Sequence, residues 1–175
     1  MFSTIIIEQT YADGPLPKGQ DQVIMQPSLA ARMTQALHLQ GNERVLEIGT
    51  GCGYQAAILS LLAKEIYTIE RLPSLAERAQ SVLRRLGYTN VSVFLGDGTK
   101  GLSAYAPFDA ILVTAGGKSI PQPLLEQLKD GGYVVMPIGE DRTRHELQAG
   151  RKVQGKLHLH NLGAVYFVPL IGEYT

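Results

Sequence analysis

The stretch Val45–Gln55, VLEIGTGCGYQ, runs a short apolar strand straight into three glycines at alternate positions, Gly49, Gly51 and Gly53. Few features constrain a chain more. A backbone without Cβ atoms can turn sharply at a strand end and lie directly against a ligand. A dinucleotide-binding turn has its third glycine three residues after the second, which would be position 54. Tyr54 occupies that position, and the glycine comes one residue early.

The pattern around this stretch predicts the architecture. A helix is expected from Pro27 to Leu39, with proline in its first turn and Leu29, Met33, Ala36 and Leu37 at helical spacing, ended by Gly41. From Arg44 onward strands and helices alternate. RVLEI, EIYTIE, VSVFL and FDAILVT read as strands, separated by helices over Tyr54–Ala63 and Ser74–Leu86 and by the turn GDGTKG. A short helix over Gln122–Lys129 precedes the strand GGYVVMPIG. HELQAG and KLHLHNLGAVYFVPL then read as strands with no helix between them. The first four strands are short and largely apolar, as strands covered on both faces are. Alternating βαβ units imply an α/β, doubly wound, mostly parallel sheet with helices on both faces. The tail adds an antiparallel edge hairpin. YADGPLPKGQDQ is a Pro/Gly-rich loop, and STIIIEQT before it looks strand-like.

The totals narrow the function classes. The 175 residues fit one domain with a real core, 1–175, in which 1–43 form an N-terminal segment and helix and 44–175 the ligand-binding core. There are 16 basic and 16 acidic residues, so net charge is zero and nothing predicts a nucleic-acid or membrane surface. No apolar run approaches a membrane span, and MFSTIIIEQT lacks the basic start and long apolar stretch of a signal peptide. Cys52 is the single cysteine, which excludes an intrachain disulfide and disfavours a cysteine zinc site. A reducing cytoplasm is the expected location.

Ligands of doubly wound sheets bind beyond the carboxyl ends of the strands, near the point where strand order reverses. Four features fall at such ends: Glu47 with the three glycines, Glu70 closing the second of these strands, GDG at Gly96, Asp97 and Gly98, and TAGG from Thr114. Glu70 lies 21 residues after Gly49, the separation at which an acid accepts hydrogen bonds from ribose hydroxyls. Asp97 is placed to accept from an adenine amino group. Taken singly, Glu70 reads as a solvated strand end and Asp97 as a turn former. Their joint placement after consecutive strands favours a nucleoside ligand. Cys52 reads as a small filler, since no histidine lies near it. His38, His145, His158 and His160 form no ligand spacing with carboxylates and read as surface residues. No metal site is expected.

E-x-G-x-G-x-G, an acid closing the next strand and GDG closing the third together resemble the S-adenosylmethionine-dependent methyltransferase superfamily. That resemblance accounts for the glycine spacing. A dinucleotide site must seat a pyrophosphate on a helix N-terminus, whereas S-adenosylmethionine carries no phosphate and its methionine end passes over the loop. A nicotinamide enzyme is the competing reading. YADGPLPKG, ARMTQAL, VLEIGTGCGYQAAILS, IYTIER, LGYTNVSVFLGDGTKG, APFDAILVTAG, IPQPLLEQLKDGGYVVMPIG and YFVPLIG narrow it further. From about Tyr11 to Gly172 the chain resembles the protein-L-isoaspartate O-methyltransferase family. The resemblance implies S-adenosyl-L-methionine as cofactor, held by Glu47, Gly49, Thr50, Gly51, Gly53, Glu70, Arg71, Gly96, Asp97, Gly98 and Thr114. It also implies a peptide or protein substrate carrying an isoaspartyl residue.

Two departures stand out. The family segment before the first helix reads roughly T-I-S-x-P, and its serine hydroxyl faces the reacting carboxylate. This chain reads VIMQP, with Val23 and Met25 in place of the two hydroxyl residues. Met25 therefore occupies the catalytic serine position, either as a tolerated gap-filler or as the mark of altered acceptor specificity, and Ser28 lies one helical turn on. In addition, ten residues precede Tyr11 where the family has a longer helical segment. A corrinoid-pathway small-molecule methyltransferase, whose GGSGG-like turn AGGKS weakly echoes, and a non-catalytic cofactor-binding module are the alternatives. Adenine methylation is disfavoured because TAGG replaces an Asn/Asp-Pro-Pro-aromatic turn.

Overall fold

The computed structural model describes residues 16–19, 22–141 and 143–175, with only the backbone considered at 16–19 and 22–24. The strand-like reading of STIIIEQT and the first part of the Pro/Gly-rich loop lie outside the described residues. Within and just beyond that loop, β1 (Leu16–Gly19) and β2 (Gln22–Ile24) pair as an antiparallel ribbon.

The main sheet is built from β3 (Arg44–Ile48), β4 (Glu65–Glu70), β5 (Val91–Leu95), β6 (Phe108–Val113), β7 (Leu128–Ile138), β8 (Arg144–Val153) and β9 (Lys156–Tyr166). Its order is β5-β4-β3-β6-β7-β8-β9. β5 through β7 pair in parallel, and β8 and β9 close one edge antiparallel. The chain leaves β3 toward β4 and β5, then returns to β6 on the other side. The switch point therefore lies between the carboxyl ends of β3 and β6, beside the glycine turn and TAGG.

Helices α1 (Pro27–Gln35), α2 (Tyr54–Ser60), α3 (Pro73–Arg85) and α4 (Gln122–Gln127) cover the sheet. Each differs by a few residues at most from the span expected from periodicity: α1, α2 and α3 give way to turns, and α4 passes directly into β7. Two apolar layers result. Val45, Ile66, Ala110 and Leu112 pack with Met33, Leu37, Ala56, Leu59 and Leu83 of α1–α3. Leu46, Tyr67, Ile111 and Val134 face the opposite side with Leu124 of α4. β5 departs from the expectation of strands buried on both faces. It is an edge strand, and its residues are half-buried or exposed.

Period-two alternation has a further consequence. Val45 and Ile66 lie on the α1–α3 face, so Glu47, Thr68 and Glu70 point there too, and Glu47 and Thr68 are direct register partners. Glu47 is fully buried and accepts a 2.5 Å bond from the Thr68 hydroxyl. That hydroxyl has one proton, so Thr50 Oγ1, 2.6 Å away, donates to Thr68. The chain of bonds fixes the glycine turn from below. Replacing Thr68 with valine keeps the shape but leaves Thr50 without this acceptor and the Glu47 Oε2 without this donor. Losing buried partners of this kind costs about 1–3 kcal/mol. Thr68→Val is expected to lower the unfolding free energy by that amount, read from the midpoint and slope of chemical unfolding.

Candidate cofactor and acceptor site

The glycine turn is held in a conformation that side chains rarely adopt. Gly49 has φ 98° and Gly51 φ 55°. A Cβ on Gly49 would collide with Thr114 Oγ1, which itself donates to the carbonyls of Ile48 and Gly49 at 3.0 and 2.9 Å. Thr114 thus stitches the end of β6 to the end of β3. Gly51 N–H donates to Glu70 Oε2 at 2.8 Å, while Leu72 N–H donates to the other oxygen at 3.0 Å. Glu70 is 6% exposed. Its carboxylate bridges the glycine turn and the start of α3, and each oxygen keeps a lone pair for a further donor.

These groups open on a cavity of about 700 Å³, within the roughly 300–1,000 Å³ typical of small-molecule sites. Of the residues assigned to the cofactor from sequence, Gly49, Thr50, Gly51, Glu70, Arg71, Gly98 and Thr114 line it. Met25 lines it as well, together with Ser28, Leu29 and Arg32 from the same face of α1. The remaining wall is the segment Ala164–Ile171, which sequence reasoning read only as an edge strand. The signal was present in YFVPLIG, a strand running into proline and glycine.

Glu47, Gly53, Gly96 and Asp97 do not line the cavity. Glu47 lies beneath the turn, as described above. Gly53 is the left-handed N-cap of α2, packed toward Leu83. Asp97 Oδ1 accepts from the Thr99 N–H and hydroxyl at 2.9 and 2.7 Å, and Oδ2 accepts from Glu173 N–H at 2.9 Å. Burial alone would push the Asp97 carboxyl up; the bonds from the Thr99 hydroxyl and the Glu173 and Thr99 amides, with Lys100 nearby, outweigh it and hold it below the usual range. Asp97 therefore ties the C-terminal segment to the third strand's turn. Tyr174 N–H adds a bond to Thr99 Oγ1 at 3.2 Å, and Lys100 pairs with Glu173 at 2.6 Å.

The histidine reading needs one correction. His38, His158 and His160 are exposed, but His145 is 2% exposed. Its ring packs against Gly116, where a Cβ would collide with it, and Nδ1 lies 3.1 Å from the Thr143 carbonyl. The strand pattern of β8 put it inward, and Gly116 made the room. Among the described residues no group of three or more His, Cys, Asp or Glu side chains is placed to hold a metal ion. Nor is any helix long and apolar enough to cross a membrane.

A model of the protein-L-isoaspartate (D-aspartate) O-methyltransferase family matches residues 2–175. The chain belongs to that family. A protein-L-isoaspartate O-methyltransferase from Syntrophobacter fumaroxidans is 52% identical over 167 residues, covering 95% of this chain and 78% of the relative. A solved structure titled protein-L-isoaspartate O-methyltransferase superposes with a TM-score of 0.88 at 30% identity. That comparison covers 96% of this chain and 56% of the other. A structure of a putative member from Plasmodium falciparum, in complex with S-adenosyl-L-homocysteine, shares the fold with a TM-score of 0.78 at 23% identity. It covers 92% of this chain and 81% of that one. Membership makes the chain an S-adenosylmethionine-dependent methyltransferase, and the cavity fits that cofactor: a bare glycine backbone and the Glu70 carboxylate, whose oxygens keep free lone pairs, border one open volume. A branched side chain on Gly51 would strain a turn with φ 55° at a residue that lines that volume. Gly51→Val is expected to abolish binding of S-adenosylhomocysteine in calorimetry. Glu70→Ala should weaken it by roughly 1.5–3 kcal/mol, the worth of charge-assisted bonds.

Proposed function

We propose that this chain methylates the free carboxylate of L-isoaspartyl residues in damaged proteins, taking the methyl from S-adenosyl-L-methionine held along Gly49–Gly51, Glu70, Arg71, Gly98 and Thr114. The observation that carries the reading is the family match across residues 2–175, joined to a cavity that runs from the glycine turn to the face of α1. In this reading residues 1–43 form the acceptor side and 44–175 the cofactor side of one domain, working in the cytoplasm on peptide or protein substrates. The corrinoid-pathway alternative is not favoured, because the 52% identity is to a protein-L-isoaspartate O-methyltransferase.

The reaction asks little of side chains. A carboxylate titrates at about pH 4 and is ionised at neutral pH, so no general base is required. The bound sulfonium supplies an already activated methyl. What the chain contributes is alignment and exclusion of water. Glu70, Thr114 and the glycine backbone hold one reactant. The face of α1 and the Ala164–Ile171 wall enclose the other.

Met25 is the weak point of the acceptor side. It lines the cavity where the family serine is expected, and a thioether offers no proton to an incoming carboxylate. Losing one hydrogen bond to a charged group costs roughly 1.5–3 kcal/mol, or about ten- to a hundredfold in rate. Methylation of an isoaspartyl peptide, measured beside its normal aspartyl control, should be selective for the isoaspartyl form but slow. Met25→Ser combined with Val23→Thr should raise the rate about ten- to a hundredfold and leave cofactor affinity unchanged. Equal methylation of both peptides, or of neither, would overturn the assignment.

A further inference from the structure

The acceptor side carries a cation that the reaction as described does not use. Arg32 lines the cavity from the second turn of α1, with Leu29 on the turn before it and Met25 just ahead of the helix. Its guanidinium reaches across to β9, where a Cβ on Gly163 would lie 3.4 Å from Nη2. Among the described residues it makes no ion pair. The acid nearest in register is Glu146, paired with Ala164, and its carboxylate accepts instead from Asn161 Nδ2 at 2.9 Å. The other charges on the lining are Glu70, whose oxygens hold two backbone N–H groups, and Arg71 beside it on the cofactor side. Among the described residues, the acceptor side of the lining therefore has one charge outside any ion pair, and it is positive.

Resting on the isoaspartyl reading, we propose that Arg32 is a specificity-determining residue that binds a second carboxylate of the peptide, an acidic side chain flanking the isoaspartyl residue. The separation sets the position. Arg32 lies about 7.5 Å along α1 from Pro27 at about 1.5 Å per residue, and Met25 lies two residues before Pro27 in non-helical backbone, so the two are on the order of 10 Å apart. An extended peptide advances about 3.3 Å per residue. An isoaspartyl carboxylate near Met25 thus brings the side chain about three residues away beneath the guanidinium. A bidentate carboxylate contact suits the planar fork of arginine, and Gly163 leaves the space for it. Because Arg32 is exposed at the rim, the contact acts mainly on peptide capture and weakens in salt.

The test uses isoaspartyl peptides identical except for Glu, Gln or Lys at the third residue from the isoaspartate, with one set varied on its amino side and one on its carboxyl side. Initial rates at low peptide concentration report kcat/KM. The native chain should prefer Glu over Gln by about three- to tenfold at low salt on one of the two sides, with Lys poorest, and the ranking should compress at high salt. Arg32→Gln should flatten the ranking, Arg32→Lys should keep part of it, and Arg32→Glu should invert it in favour of Lys. No such inversion follows from a merely structural role. A native chain indifferent to the flanking charge would overturn the proposal. So would variants that keep the native ranking, or that lower all peptides by one common factor. A native chain that methylates no isoaspartyl peptide overturns the underlying reading first, and this proposal with it.

Discussion

Two carboxylates at the carboxyl ends of β3 and β4 govern the rest of the structure. Glu47, through Thr68, holds the Thr50 side chain, and Glu70 holds the Gly51 amide. Between them they pin successive residues of a turn whose glycines have positive φ and no side chains of their own to pack. A loop so short of side-chain contacts would otherwise sample many conformations. Here bonds from within the chain shape it, which lowers the ordering cost of binding. Buried acids are costly unless bonded; Glu70 is bonded directly, and Glu47 through Thr68, to the one segment whose shape matters most for the site.

The same turn is linked outward to the acceptor side. Gln55, in the first turn of α2, donates from Nε2 to Thr34 Oγ1 at 2.8 Å, and Thr34 donates to the Ala30 carbonyl within α1. Both side chains are buried. The helix that presents Met25 and Arg32 to the cavity is thereby set relative to the glycine turn by a buried polar contact as well as by apolar packing. On the opposite wall, Gly116 exchanges hydrogen bonds with Val168 and Leu170 at 2.9 and 2.7 Å, and the Asp97–Thr99 turn holds Glu173 and Tyr174. The end of the chain is therefore part of the cavity, fastened to the carboxyl ends of the third and fourth parallel strands.

Much of the site was legible because it depends on local chemistry. Gly49, Gly51 and Glu70 fall at strand ends whose positions follow from apolar runs and glycine punctuation, and the doubly wound topology brings those ends together. Asp97 shows the other side of this. Its place after a strand is equally consistent with reaching a ligand and with capping its own turn, and its bonds to Thr99 and to Glu173, the latter 76 residues away, are ones that no local pattern reports. His145 was misread for a related reason. Its burial depends on Gly116 from another strand, and no local pattern reports that pairing.

The sequence by itself determined the parallel sheet, the bare turn, the acid 21 residues beyond it and the family to which the chain belongs, because period, turn chemistry and motif spacing are properties of neighbours along the chain. Tertiary structure alone decided which polar groups face the cavity and which serve the scaffold. Glu47 and Glu70 lie on the same face of adjacent strands, yet one is sealed beneath the turn and the other borders the open volume. The difference is set by how far each strand extends past its neighbour and by what covers it, which is fixed only when the sheet, α1 and the Ala164–Ile171 wall have packed together.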